Sequence, residues 1–157
     1  ARDYPRDDEV WYLMGWAYNR AQRGADAERA LREHLRRAPE SPKGLTQLAV
    51  ALLGQERYTQ AIEVLQAALK LKPTWRELHF NLGVACVRLG REEEAIGHLR
   101  NGLKFDPGHV PSYSALAELL VRRGDRDEAR RLLRQALELA PADERLRSLL
   151  QKAGENQ

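Results

Sequence analysis

The chain has 157 residues, 43% hydrophobic and 31% charged, with a net charge of +3. That length supports one ordinary core, the balance excludes a disordered chain, and no run approaches the roughly 20 apolar residues of a membrane-spanning helix. The charge is too weak by itself to argue for nucleic acid, and the single cysteine, Cys86, excludes an internal disulfide and a cysteine metal cluster.

Five of the seven prolines (Pro5, Pro39, Pro73, Pro107 and Pro141) stand 34 residues apart. A strict period of this size marks stacked structural repeats. It divides the chain into residues 8–41, 42–75, 76–109 and 110–143, with 144–157 left as a capping helix and tail. Residues 1–7 fit the tail of a truncated preceding repeat, so a further repeat is expected upstream.

In chain order, the spacing predicts helices over 8–21, 25–37, 42–54, 58–71, 76–88, 92–105, 110–122, 126–139 and 143–152. The first helix of each repeat carries a ridge at its fourth, seventh, eighth and eleventh positions. In repeat one these are Trp11, Met14, Gly15 and Tyr18, and in repeat two Leu45, Leu48, Ala49 and Leu52. Repeat three has His79, Leu82, Gly83 and Cys86, and repeat four Tyr113, Leu116, Ala117 and Leu120. This spacing lies on one helical face, and the small eighth residue lets a second helix approach.

Each second helix repeats a strip of Ala, Leu and Leu at intervals of four, beginning at Ala27, Ala61, Ala95 and Ala129. Proline then ends it, because the residue before proline is driven out of the α region. In the last segment, Leu146, Leu149 and Leu150 share one side among polar neighbours, which suits a cap.

This pattern resembles the tetratricopeptide repeat family over essentially the whole chain. Trp11 to Tyr18 matches the family's first helix, and Ala61 to Pro73 and Ala95 to Pro107 match its second. His34 and Gly102 stand where the family has Ala, as does Leu119. The family's turn glycine occurs as Gly90 and Gly124, whereas repeats one and two carry Gly24 and Gly54 nearby. Those two turns are expected to differ in shape. The resemblance implies an all-α solenoid of antiparallel helix pairs.

In that family the first helices line a concave surface, and positions 2, 5, 9, 12 and 13 of each repeat face it. Repeat one then offers Tyr12, Trp16, Asn19 and Arg20, and repeat two Thr46, Val50 and Leu53. Repeat three offers Phe80, Val84, Val87 and Arg88, and repeat four Ser114, Glu118, Val121 and Arg122. An apolar middle (Trp16, Val50, Leu53, Phe80, Val84, Val87) with an edge of Arg20, Arg88 and Arg122 has the form of a recognition surface. The competing explanation is that the valines only pack against neighbouring first helices. An upstream repeat would equally account for Trp16.

Some members of the family clamp a C-terminal carboxylate with Lys, Asn and Arg. Here those slots hold Tyr12, Trp16, Gln47, Glu77 and Asn81, or in the next frame Thr46, Val50, Asn81, Pro111 and Ala115. Nothing cationic is among them, so no chaperone-type carboxylate clamp is expected.

Catalytic and metal signals are absent from the sequence. The four histidines lack zinc-motif spacing, Cys86 sits in a core slot, and no phosphate loop or nucleophile elbow occurs. Glu92, Glu93 and Glu94 open a helix, where negative charge is favoured. Arg122, Arg123, Arg126, Arg130, Arg131 and Arg134 interleave with acids, the mark of a solvated helix rather than a nucleic-acid site. The expectation is a non-catalytic protein-binding scaffold without cofactor, taking a helical or extended peptide. Two alternatives are a recruiting arm of a larger enzyme and self-association through the open first helix.

Overall fold

The computed structural model describes residues 7–154, with side chains from residue 8. Among them are nine α-helices and no strand: α1 (Asp7–Arg20), α2 (Gly24–Arg37), α3 (Pro42–Gly54), α4 (Tyr58–Leu71), α5 (Arg76–Arg88), α6 (Glu92–Phe105), α7 (Val110–Arg123), α8 (Arg126–Leu139) and α9 (Glu144–Gly154). Every boundary lies within two residues of the helix that the sequence spacing predicts. The fold is an antiparallel α-α solenoid. Each helix packs on the next, and the first helices also touch along the stack.

The strip of the second helices forms the spine of the core. Ala27, Ala61, Ala95, Ala129, Leu31, Leu65, Leu99 and Leu133 are all fully buried. The eighth position of each first helix meets that spine. A Cβ on Gly83 would sit 2.7 Å from Leu99 Cγ, and one on Gly15 would overlap Leu31. Repeats two and four hold Ala49 and Ala117 there, fully buried, so the crossing distance adjusts to one methyl group.

The turns between first and second helices correct the expectation that two of them differ. Gln22, Glu56, Gly90 and Gly124 occupy one repeat position, and all four have positive φ, at 57°, 59°, 71° and 88°. The same pair of backbone bonds closes each turn. Arg23, Arg57, Arg91 and Asp125 donate their N–H to Tyr18, Leu52, Cys86 and Leu120, at 2.8–2.9 Å. The residue before each donates to the carbonyl three positions back. Helix packing therefore imposes the left-handed conformation even where a side chain makes it costly. Gly24 serves another purpose: a Cβ there would lie 2.9 Å from Cγ of Gln55, the residue that follows α3.

Cys86 is buried, and burial pushes its thiol pKa up. Both candidate core histidines are buried as well. His79 donates from Nε2 to the Pro73 carbonyl at 2.9 Å and stacks on Phe105, with ring centres 5.5 Å apart.

Candidate functional site

The first helices carry the residues nominated for the concave surface. That surface opens most between α5 and α7, which touch each other less than the other neighbouring first helices do. A cavity of about 600 Å³ lies there, with α9 as its far wall. Phe80, Val84, Val87, Ala115, Val121 and Leu149 supply its apolar lining, and Arg88, Glu118, Arg122, Arg145 and Lys152 its charges. A smaller cavity of about 400 Å³, lined by Asn19, Val50 and Gly54 among others, lies between repeats one and two.

Val50, Leu53, Phe80, Val84, Val87 and Val121 are half-buried. Leu53, Phe80, Val87 and Val121 lean on the core with one side, and Phe80, Val87 and Val121 line the cavity. Phe80 is held edge-on against His109, with ring centres 4.9 Å apart, and His109 is fixed by the Ser112 hydroxyl at 2.7 Å. Trp16 is 40% exposed, and the Arg20 guanidinium lies 5.0 Å from its ring centre.

Other nominated residues are engaged within the fold. Thr46 is 1% exposed and donates its hydroxyl to the Pro42 carbonyl at 2.7 Å, so it packs rather than lines an open wall. Tyr12 is half-buried beside His34, and burial, with Glu77 second, pushes its phenol pKa up. Asn19 donates to the Gln47 carbonyl at 2.9 Å, tying α1 to α3. Ser114 is buried at the cavity wall, and its hydroxyl has no hydrogen-bond partner.

The arginine edge is less free than its sequence spacing implies. Arg88 reaches Glu56 at 3.6 Å and donates to the Tyr58 hydroxyl at 3.0 Å. Arg122 meets Glu92 at 3.3 Å. Each therefore pairs with an acid of the preceding repeat, Glu56 in its turn and Glu92 at the start of its second helix. Both remain more than half exposed, and such exposed pairs are worth ~1 kcal/mol or less, so a ligand carboxylate can share the guanidinium.

The cap adds residues that the sequence reading missed. Arg145, Leu149 and Lys152 line the cavity, and Arg145 bridges to Glu118 at 2.6 Å. Their signal was present in the period: α9 takes the place of a fifth first helix, and Arg145 and Lys152 hold its second and ninth positions. Among the described residues, no group of three or more His, Cys, Asp or Glu is placed to hold a metal, and no helix is long and apolar enough to cross a membrane.

Tetratricopeptide repeat family models match residues 1–42 and 46–110, and again 90–153. The chain belongs to the tetratricopeptide repeat family. No curated protein matches this tetratricopeptide repeat chain, but solved structures do. It is similar to the crystal structure of MamA at 20% identity and a TM-score of 0.83, over 93% of this chain and 80% of that one. It is similar to a thermophilic TPR protein of Thermus thermophilus at 27% identity and a TM-score of 0.81, over 97% and 84%. In the Cut9–Hcn1 complex of the APC/C, a chain matches at 23% identity and a TM-score of 0.87, over 94% of this chain and 30% of that one. Tetratricopeptide repeat proteins generally mediate protein–protein interaction.

Proposed function

We propose that this chain is a non-catalytic binding module that holds a helical or extended peptide of a partner protein between α5, α7 and α9. The observation that carries this reading is the half-exposed state of Phe80, Val84 and Val87 in a cavity of about 600 Å³. Among the described residues no side chain fills that cavity, which leaves its apolar lining for a ligand. Apolar ligand side chains enter beside Phe80 and Val84, and burial of each contributes about 1–3 kcal/mol. Acidic ligand groups meet Arg88, Arg122, Arg145 and Lys152 at the rim. The two clamp frames within repeats one to four hold no cation, which favours an internal segment as the ligand.

Peptides selected from a displayed library on the intact chain provide the test, with affinity read by fluorescence anisotropy. A Phe80→Ala, Val84→Glu double variant is expected to weaken binding at least about tenfold, the effect of losing ~1.4 kcal/mol. A Trp16→Ala variant is expected to act only on ligands long enough to reach repeat one. Equal affinity for the native chain and the double variant would defeat the groove reading.

A further inference from the structure

The last position of each repeat, just before the next first helix, holds Ser41, Trp75, His109 and Asp143 in turn. Ser41 and Asp143 spend their side chains on the helix that follows. The Ser41 hydroxyl accepts the Gly44 N–H at 3.1 Å, and Asp143 accepts those of Arg145 and Leu146 at 2.9 and 3.1 Å. That is the usual duty of a residue at a helix start. Trp75 has no acceptor to offer. His109 makes no bond of this kind to the backbone of α7. Its ring lies against Phe80 of α5 instead, with Nδ1 at the Ser112 hydroxyl.

The backbone around His109 is pinned on both sides. Arg76, one turn before Phe80 on α5, holds one oxygen of the Asp106 carboxylate at 2.7 Å. The other oxygen accepts the Gly108 N–H at 3.0 Å. Beyond His109, its carbonyl accepts the Ser112 N–H at 3.0 Å, and Ser112 is buried. Helix α5 therefore grips the turn before α7 at two points four residues apart, an ion pair at Arg76 and a ring contact at Phe80. Phe80 lines the cavity between α5 and α7, whereas His109 is not among the lining residues.

We infer that His109 is a positioning residue for the peptide site, fixing the Phe80 ring in the orientation that the ligand meets. This rests on the groove reading above. A side chain that must be ordered as the ligand arrives subtracts from affinity, and one already held does not. Losing the support of His109 is expected to weaken binding about two- to tenfold, the cost of ordering one side chain.

The test uses one peptide selected from a displayed library on the intact chain, with affinity read by fluorescence anisotropy and folding by circular dichroism. His109→Ser puts before α7 the residue that caps α3, so the helix gains a bond as the ring contact is lost. The variant is expected to keep the native helical spectrum and melting temperature while affinity falls about two- to tenfold. A role in folding alone would move stability and affinity together. His109→Phe keeps a ring against Phe80 and should bind within about twofold of the native chain. In a Phe80→Ala background, His109→Ser should cost no further affinity, because it acts through that ring alone. This comparison decides the matter even if His109→Ser lowers the melting temperature. Equal losses with and without Phe80 overturn the inference, as does undiminished affinity of His109→Ser when Phe80→Ala alone weakens binding. If Phe80→Ala leaves affinity unchanged, the groove reading fails and this inference fails with it.

Discussion

The imidazole of His34 fills the space that a side chain on Gly44 would need. A Cβ on Gly44 would stand 2.8 Å from His34 Nε2. The ring ties the start of α1 to the N-cap of α3, since Nε2 meets the Ser41 hydroxyl at 2.8 Å and Nδ1 meets the Asp8 carbonyl at 2.7 Å. Ser41 Oγ already accepts the Gly44 N–H at the start of α3, so its own proton points to Nε2, and Nδ1–H donates to Asp8. Gly44→Ala is therefore expected to destabilise the chain by about 1–3 kcal/mol through overpacking. Adding His34→Ala, which restores the small residue found at Ala68 and Ala136, should recover part of the loss. Urea unfolding of the two variants checks this.

The turn geometry makes an opposite pair of predictions. Gln22 holds φ at 57° with a side chain, a conformation that costs L-residues about 1–2 kcal/mol and glycine nothing. Gln22→Gly should raise stability by about 0.5–1 kcal/mol, the remainder being lost to the greater freedom of unfolded glycine. Gly124→Ala, at φ 88°, should lower it by about 1 kcal/mol. Thermal melts followed by circular dichroism distinguish the two signs.

Stability should fall on mild acidification. The pKa of His98 is held below the ordinary imidazole value by burial first and by neighbouring His79 second, against the pull of Glu94. That of His109 is lowered by burial and then Arg76, against Asp106. A depressed folded pKa means that the unfolded chain binds the proton more readily. The stabilisation is complete above the unfolded value of about 6.5 and is lost as pH falls toward the folded one. Between about pH 7.5 and about pH 5, His98→Gln should show a smaller drop in melting temperature than the native chain, because carboxylates titrate below that window. An equal drop would remove His98 from the account.

Core and groove separate by their energetics. Leu82 is fully buried, and Leu82→Ala is expected to cost about 2–5 kcal/mol. Val84, two residues on, is half-exposed at the concave face, and Val84→Ala should cost under ~1 kcal/mol of stability while lowering peptide affinity. Chemical denaturation and anisotropy on the same two variants test the division.

The cap should influence binding as well as folding. Leu146 is fully buried at the start of α9, and α9 forms one wall of the cavity through Arg145, Leu149 and Lys152. Leu146→Ala is expected to destabilise by about 2–5 kcal/mol and to weaken peptide binding without touching the ligand. Hydrogen exchange should show lost protection in α8 and α9 before α3 and α4, since repeat stability is carried between neighbours.

The helices, their register and the buried Ala–Leu spine were legible in the sequence. A 34-residue period fixes which residues face inward once one repeat is understood, and Leu31, Leu65, Leu99 and Leu133 could be placed from it directly. The cavity lining was legible in part. Register alone put Phe80, Val84 and Val87 on one helix face, whereas Arg145 and Lys152 also line the cavity because α9 stands in the place of a fifth first helix and not only as a cap. Thr46 was misjudged as open because its repeat position faces the groove only as far as the neighbouring first helix allows.

Local pattern therefore determined the elements and their pairing, since helical periodicity and proline placement act over a few residues and recur identically. Only tertiary structure decided the shared left-handed turn at Gln22 and Glu56, the pairing of Arg88 and Arg122 with acids of the preceding repeat, and the opening between α5 and α7. Each of these depends on the distance between helices. That distance is set by the summed volume of side chains from two repeats, a quantity that no single stretch of sequence contains.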